Sequence, residues 1–178
     1  VDVSLEKLKN YQNNSFNNDV FFAMSHGVHR GVLKEGKFDR REVFIDKLMK
    51  KEPNIRFSLH GMKKNQPVWA DNYINAISQC KIGLNLSQGK PVKYYSSDRF
   101  AQLIGNGLLV MIDEKTFFKD FFTNQELIFY KNISDLAEKI NKYSNDNKLR
   151  NSIAKKGRDK YFKYFNSTLV AKFIIEKT

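Results

Sequence analysis

Lys90-Pro-Val-Lys-Tyr-Tyr-Ser-Ser-Asp-Arg-Phe-Ala-Gln-Leu-Ile-Gly-Asn-Gly-Leu-Leu-Val-Met-Ile-Asp113 is the stretch that decides the fold. It begins as a polar, lysine-containing loop, and Ser96-Ser97-Asp98 then supplies residue types that start helices. One short helix follows and ends at Gly105-Asn106-Gly107, after which an apolar run predicts a strand over 108–112. The stretch therefore predicts a loop, a helix, a turn and a strand in succession.

The sequence just before this stretch places the loop at the edge of a sheet. Lys81-Ile-Gly-Leu-Asn-Leu-Ser87 predicts another short strand, so the polar loop leaves the carboxyl end of a strand and enters the amino end of a helix. Ligands bind at such positions in open α/β sheets. A helix amino end presents unpaired N–H groups and a partial positive charge, and Lys90, Lys93 and Arg99 add full charges. The expected ligand is an anion, with phosphate as the first expectation.

Strand and helix patterns alternate along the rest of the chain. We predict strands at 20–25, 55–60 and 126–130 and an aromatic half-turn or short helix over 116–122. We also predict helices that begin at Asp39, Trp69, Ser134 and Ser167, and a helix with Leu149, Ile153, Gly157 and Tyr161 on one face. This alternation favours an α/β fold: a doubly wound, Rossmann-like parallel sheet followed by C-terminal helices. Residues 1–19 are rich in asparagine and are predicted to be a linker or interdomain segment, with 20–178 as a single domain.

Composition limits the class of protein. A chain of 178 residues with 41% hydrophobic residues is long enough for one well-buried domain and short for two. The single Cys80 provides no disulfide framework and no thiolate metal site, which fits a reducing, cytoplasmic setting. No stretch approaches the ~20 apolar residues of a membrane span, and the first residues show no signal-peptide pattern. The chain also lacks an initiator methionine, so we expect a fragment of a longer protein.

The charge is strongly basic. The net charge is +12, and residues 131–178 contain twelve Lys or Arg against five Asp or Glu. This bias suggests an anionic partner, which would be nucleic acid, an acidic membrane surface or a phosphorylated substrate. A solvated lysine-rich surface explains the bias equally well. Residues 158–165 interleave aromatic and basic side chains, which supports a nucleic-acid-binding module as an alternative function, although no recognition motif accompanies them and nucleic acid is not the expected partner.

Several kinds of chemistry lack their motifs. No G-x-G-x-x-G follows a strand, no G-x-x-x-x-G-K-S/T occurs, and no G-x-S-x-G is present. His26, His29 and His60 do not have the spacing of metal ligands with carboxylates, so no metal site is predicted. Three loops at strand carboxyl ends remain, at 26–37, 61–66 and 87–99. They are rich in side chains that donate hydrogen bonds to phosphate and sugar hydroxyls.

The second part of the opening stretch is Ser96-Ser-Asp-Arg-Phe-Ala-Gln-Leu-Ile-Gly-Asn-Gly-Leu-Leu-Val-Met-Ile-Asp113. It resembles the signature of the C-terminal, donor-binding half of bacterial GT-B glycosyltransferases, in the group-one and CgeB-like branch. Phe22-Ala-Met-Ser-His26 with Arg41 resembles the first phosphate-proximal loop, and Ile153-Ala-Lys-Lys-Gly157 resembles the closing helix. The resemblance covers roughly residues 19–166. It implies one half of a GT-B fold, a nucleotide diphosphate sugar as donor substrate, and no required metal or other cofactor.

The resemblance also implies site residues, none of which is assigned a catalytic role. The paired glutamates of the wider family fall on Tyr94 and Gln102, neither of which is acidic; Gln102 is expected to bind ribose as an amide. Tyr94 and Asn85 are expected on the ribose or sugar side. The residues expected to bind the donor and its phosphates are His26, Arg30, Arg41, Lys93, Ser97 and Arg99. Fixed cations and N–H donors would stabilise the charge that grows on the leaving diphosphate.

The implied function is transfer of a sugar to an acceptor hydroxyl in the synthesis of cell-surface polysaccharide or lipopolysaccharide. A GT-B enzyme works in a cleft between two Rossmann-like halves, and this chain has length for one. We therefore expect a missing N-terminal acceptor-binding domain as partner and no turnover from these 178 residues alone. A degenerate half that serves as an interaction domain is a further alternative, because the acidic pair is missing. The basic face against an anionic inner membrane is a hypothesis for localisation.

Overall fold

The computed structural model describes residues 1–24 and 39–177, and between them the backbone of two short paired strands. The strands are β1 (Asn18–Ala23), β2 (Val28–His29), β3 (Val32–Leu33), β4 (Phe57–His60), β5 (Cys80–Asn85), β6 (Leu109–Asp113) and β7 (Ile128–Tyr130). The α-helices are α1 (Arg40–Lys51), α2 (Ala70–Ser78), α3 (Asp98–Gly105), α4 (Ile133–Asn145), α5 (Asn147–Phe165) and α6 (Ser167–Lys177), and short 3-10 helices occupy Asn10–Gln12, Glu114–Thr116 and Phe118–Asp120.

Five strands form one parallel sheet in the order β4-β1-β5-β6-β7, while β2 and β3 form a separate antiparallel pair. The chain builds the sheet outward from β1 to one edge and then returns to build the other half from β5. This is the doubly wound order, in which successive strands are added first toward one edge of the sheet and then toward the other. The order of addition reverses between β1 and β5, which are neighbouring parallel strands. The predicted doubly wound, Rossmann-like α/β fold is confirmed.

Apolar side chains bury both faces of the sheet. Val20 and Phe22 of β1 belong to the core under α1 and α4, whereas Phe21 between them belongs to the core under α2 and α3. Successive side chains of a strand point to opposite faces, so a continuous apolar run is the pattern of a strand that is covered on both sides. Helices α1 and α3 therefore follow the neighbouring strands β1 and β5 but pack on opposite faces of the sheet.

Side-chain caps fix where the helices begin. Asp39 accepts a hydrogen bond from the Arg41 backbone N–H at the start of α1, and Ser97 accepts one from the Phe100 N–H at the start of α3, as predicted. The starts predicted at Ser134 and Ser167 are wrong by one or two residues. Asn132 caps α4 and the Asn166 side chain accepts from the Leu169 N–H in α6. Asparagine is as favourable a cap as serine, and here it comes first in the chain.

The N-terminal segment predicted as a linker packs along the domain. Asn10 is buried, and its Nδ2 donates to the carbonyls of Ile77 at 2.8 Å and Cys80 at 3.0 Å. The Leu8 N–H donates to the side-chain oxygen of Asn106 at 3.1 Å. These contacts tie the segment to the last turn of α2, to the first residue of β5 and to the turn after α3. Its role between two domains stays a prediction.

An ion-pair network around the buried carboxylate of Asp19 joins the amino ends of β1, β4 and β5. Asp19 is almost fully buried, with Arg56 Nε at 3.2 Å and Lys81 Nζ at 2.7 Å from its carboxylate. Burial raises the pKa of Asp19, but the hydrogen bonds from Arg56 and Lys81 outweigh that effect and leave the pKa below its ordinary value of 3.8. The folded state therefore binds this proton more weakly than the unfolded chain does.

This network should make stability depend on pH in the acid range. A carboxylate with a lowered folded pKa contributes stability that is complete above the unfolded value of 3.8 and is lost as the pH falls through the folded value. Between about pH 5 and pH 3 we expect the urea midpoint to fall more steeply for the wild type than for Asp19→Asn. Asp71→Asn, which removes an exposed carboxylate of α2, is the control and should follow the wild-type slope. Equal slopes for wild type and Asp19→Asn would contradict the prediction.

Candidate functional site

A crevice lies beyond the carboxyl ends of β1 and β5. These two strands are neighbours, and the helices that follow them, α1 and α3, pack on opposite faces of the sheet. Their amino ends therefore flank the crevice from both sides, and each contributes unpaired N–H groups and a partial positive charge. Doubly wound sheets bind their ligands at this position.

Arg99, in the first turn of α3, provides the central charge of the crevice. Its Nη1 donates to the Leu86 carbonyl at 3.2 Å, and its guanidinium carbon lies 5.0 Å from the centre of the Phe22 ring. Burial and then the nearby charge of Arg41 lower the pKa of Arg99 to about 10, so the group stays protonated at neutral pH. No described carboxylate lies within 4.0 Å of it. The crevice therefore contains a largely buried positive charge that no carboxylate of the described residues neutralises.

Arg41 approaches from the first turn of α1 and differs from Arg99 in having a partner. Its Nη2 lies 2.7 Å from Asp39 Oδ2, and its Nε also donates to the Asp39 carboxylate. Both side chains are buried. The same carboxylate caps α1 through the Arg41 backbone N–H at 2.8 Å. Asp39 thus holds Arg41 at the start of α1. The positive charge of Arg41 is near enough to Arg99 to lower its pKa.

Ser97 and Asn85 fix the start of α3 to the end of β5. The Ser97 hydroxyl donates to Asn85 Oδ1 at 3.1 Å and accepts from the Phe100 N–H at 3.3 Å. Asn85 is buried, so its amide oxygen is used inside the protein. The structure thus places both residues at the crevice, where they set the position of Arg99. A direct contact of either residue with a ligand stays a prediction.

A cleft of about 760 Å³ opens from the crevice toward α2 and α3. Gln102 lies one turn after Arg99 on α3 and lines the same cleft, as do residues 4–8. Two aromatic side chains in the cleft are exposed, Trp69 at 54% and Tyr95 at 59%. The hydroxyl of Tyr73 is buried in the same wall and has no hydrogen-bond partner within the described part of the chain. The cleft therefore offers aromatic surfaces and polar groups beside a positive charge.

Lys93 and Tyr94 lie away from this cleft. Tyr94 adopts a left-handed backbone with φ of 60°, its N–H donates to the Thr116 carbonyl at 2.9 Å, and its hydroxyl donates to the Asp120 carboxylate. The Lys93 ammonium lies 4.7 Å from the centre of the Tyr94 ring and 5.1 Å from that of Phe117. Both side chains contact the short helices after β6 instead of facing Arg99. The remaining predicted site residues, His26 and Arg30, lie outside the described residues.

Sequence reasoning placed Arg41, Asn85, Ser97, Arg99 and Gln102 at the site, and the structure brings these five together. The sequence reasoning did not assign the three aromatic residues that line the cleft, which are Trp69, Tyr73 and Tyr95. The one available signal was the position of Trp69 in the loop that follows β4, because loops at strand carboxyl ends meet at one edge. Tyr73 has a helical spacing that is equally typical of a core residue.

No group of three or more His, Cys, Asp or Glu side chains is arranged to hold a metal ion in the ranges 1–24 and 39–177. Within the same residues, no helix has the length and apolar character needed to cross a membrane.

The fold and the crevice define a Rossmann-like domain with a positively charged crevice at the reversal point of its sheet. Residues 40–176 match a family model described as glycosyl transferase-like, and the chain belongs to that family. The predicted resemblance to glycosyltransferases is confirmed at this level. Sequence comparison with curated proteins finds no match.

Solved structures with a similar fold are GT-B glycosyltransferases. The crystal structure of TarM superposes with a TM-score of 0.64 and 14% identity over 92% of this chain. A TarM variant of S. aureus in complex with Fondaparinux, alpha-GlcNAc-glycerol and UDP gives 0.62 at the same identity and coverage. This chain spans 36% of the TarM chain. The C-terminal domain of the group 1 glycosyl transferase LpcC from Francisella tularensis gives 0.57 and 12% identity, over 94% of this chain and 99% of that one.

Proposed function

We propose that this chain is the donor-binding half of a GT-B glycosyltransferase, which transfers a sugar from a nucleotide diphosphate sugar to an acceptor hydroxyl. The observation that carries the proposal is Arg99: a largely buried guanidinium at the reversal point of the sheet, between two helix amino ends, with no carboxylate partner among the described residues. An anion that binds there would gain a charge-assisted contact with little water between the two charges. The diphosphate of a nucleotide sugar is such an anion, because guanidinium groups and helix amino ends both bind phosphate oxygens.

The chemistry follows from charge that develops during the reaction. When the bond between sugar and diphosphate breaks, negative charge grows on the leaving diphosphate. Arg99, Arg41 and the amino ends of α1 and α3 would be in place before the reaction and would stabilise that charge more in the transition state than in the ground state. Fixed cations of the chain supply this stabilisation, so the proposal includes no metal or other cofactor. A protein of the same fold, TarM, has been crystallised with UDP, which supports a nucleoside diphosphate as the ligand class.

The proposal requires a second, acceptor-binding domain. Helix α6 has no buried residue, although Leu169, Val170 and Phe173 are large and apolar. Val3 and Leu5 of the N-terminal segment are exposed too, and the Ser167 hydroxyl that starts α6 donates to the Asp2 carboxylate. Exposed apolar surface of this extent is typical of an interaction site. We therefore propose that the acceptor-binding domain packs against α6 and the N-terminal segment, and that the 178 residues alone do not turn over.

The wider role is proposed on charge and family alone. The family makes cell-surface polysaccharide or lipopolysaccharide synthesis in bacteria a suitable setting, with the enzyme in the cytoplasm and its basic surface at the anionic inner membrane. Packing accounts for part of the segment that motivated the nucleic-acid alternative. Tyr161 is buried, and its ring stacks on Phe165 at 5.0 Å between centres and on Phe122 at 6.3 Å.

A ligand panel tests the proposed function. We expect UDP, GDP, ADP and CMP, each with its sugar derivatives, to be distinguished by thermal shift and ligand-detected NMR, with one nucleoside diphosphate binding selectively. An oligonucleotide is included at two salt concentrations. Binding of the oligonucleotide with a steep salt dependence, together with no response to any nucleotide sugar, would replace the proposal by the nucleic-acid-binding alternative.

A further inference from the structure

A second, smaller cavity is lined by Arg41. Its volume is about 150 Å³, and it is bordered by the start of α1, the loop after β5 and the carboxyl ends of β6 and β7. The polar side chains that line it include Arg41, Ser87, Asp113 and Tyr130. Of these, Asp113 and Tyr130 were not assigned to the donor site from the sequence, whereas Ser87 begins the predicted loop at 87–99.

The small cavity is connected to Arg99 of the large cleft through Leu86 and Arg41. Leu86 lines the small cavity, and its carbonyl accepts the hydrogen bond of Arg99, which lines the large cleft. Arg41 lines the small cavity and its charge acts on Arg99. The positive charges therefore lie between a large cleft with exposed aromatic rings and a small cavity with hydroxyl and carboxylate groups. A ligand with an anionic centre and two chemically different ends fits this division.

Asp113 is the carboxylate of the small cavity. Its Oδ1 accepts from the Lys115 N–H at 2.8 Å and caps the short helix Glu114–Thr116. Its Oδ2 makes no hydrogen bond within the described ranges. Tyr130 is buried nearby, and burial followed by the negative charge of Asp113 raises the pKa of Tyr130, so its hydroxyl keeps its proton. Together with Ser87, these groups can accept from and donate to several hydroxyls at once.

We propose that the small cavity is the sugar subsite of the donor, with room for a single monosaccharide ring, and that Asp113 accepts a hydrogen bond from a sugar hydroxyl through Oδ2. The nucleoside then occupies the large cleft near Trp69 and Tyr95, and the diphosphate lies at Arg41 and Arg99. This inference rests on the proposed function. It adds the place of the sugar and the residue that selects it.

The experiment compares a nucleoside diphosphate with its sugar derivative on the whole chain. The pair used is the one that the ligand panel selects, measured by calorimetry. Asp113→Asn keeps an oxygen for the helix cap and removes the carboxylate charge, so the fold should be preserved. We expect the variant to bind the nucleoside diphosphate within about twofold of wild type and the nucleotide sugar about tenfold more weakly, because a hydrogen bond to a charged group is lost. Backbone amide NMR should show shifts at Ser87 and Tyr130 only with the sugar derivative.

Glu114→Gln is the matched control. It removes the same charge one residue further along, from a carboxylate that pairs with Lys119 at 2.6 Å, and it should change neither affinity. Equal affinities of Asp113→Asn and wild type for the nucleotide sugar would overturn the inference, as would sugar-dependent shifts at Trp69 instead of Ser87. Those results would leave the proposed function standing if the nucleoside diphosphate binds. A wild-type chain that binds no nucleotide would refute the proposed function and this inference with it.

Discussion

Replacing Arg99 with methionine is expected to weaken binding of the nucleoside diphosphate about 100-fold and to leave the free chain nearly as stable as wild type. The affinity falls because the ligand loses a desolvated, charge-assisted contact, for which truncation typically costs about 3 kcal/mol. Stability is retained because the wild-type charge is buried beside Arg41 without a described carboxylate, and an apolar side chain of similar length removes that desolvation cost. The hydrogen bond to the Leu86 carbonyl is lost in the variant, which costs about 1 kcal/mol and offsets part of the gain.

A variant that loses affinity but keeps its stability identifies a ligand site, whereas loss of a structural ion pair would lower the stability. Calorimetry measures the affinity and urea unfolding measures the stability of the same variant. Lys93→Met is the control, because it removes a cation from the same loop that lies over the rings of Tyr94 and Phe117 and not at the crevice. We expect its affinity to stay within about threefold of wild type. A large loss of stability in Arg99→Met, or a large loss of affinity in Lys93→Met, would show that the anion site has been assigned to the wrong residues.

The fold could be predicted from the sequence because its signals are local. The apolar runs of β1, β5 and β6, and the caps at Asp39 and Ser97, each depend on a few consecutive residues, and all of them agree on one alternation of strand and helix. The caps at Ser134 and Ser167 failed for an equally local reason, since an asparagine stands before each of them. In both cases the competition was between two good capping residues.

The site could be predicted only where topology decides it. Arg41 and Arg99 meet because each lies in the first turn of a helix that follows one of two neighbouring strands, and the order of the strands follows from the doubly wound pattern. Lys93 and Tyr94 belong to the same loop, yet the left-handed backbone at Tyr94 and its bond to the Thr116 carbonyl turn both side chains toward a distant segment. No short-range pattern encodes that contact.

The sequence also could not predict that Arg99 has no carboxylate partner among the described residues. A net charge of +12 shows that cations are in excess, but it does not show that the guanidinium at the crevice has no carboxylate within 4.0 Å among the described residues. Asp113 and Tyr130 enclose one cavity with Arg41 although they are far apart in the chain. Such relations arise from packing, and they are the ones on which ligand affinity depends.

Replacing Gly61 with alanine is expected to reduce the free energy of unfolding by about 3–5 kcal/mol, a large part of the total stability of a small domain. Gly61 follows β4, has φ of 71°, and donates its N–H to the Asn65 carbonyl at 3.1 Å. A Cβ atom at this position would lie 1.7 Å from the carbonyl oxygen of Met24, the residue after β1. Neither backbone segment can move away cheaply, because the Met24 N–H is bonded to the His60 carbonyl at 3.0 Å.

Gly89→Ala separates the collision from the cost of the backbone conformation. Gly89 has φ of 76°, almost the same as Gly61, but no atom lies within 4 Å of a Cβ placed there. Its variant should therefore lose only the left-handed penalty of about 1–2 kcal/mol in urea unfolding. Equal losses in the two variants would mean that Met24 yields to the new methyl group. A larger loss in Gly61→Ala would instead show that the carboxyl ends of β1 and β4 are rigidly joined. The carboxyl end of β1 borders the crevice that contains Arg99.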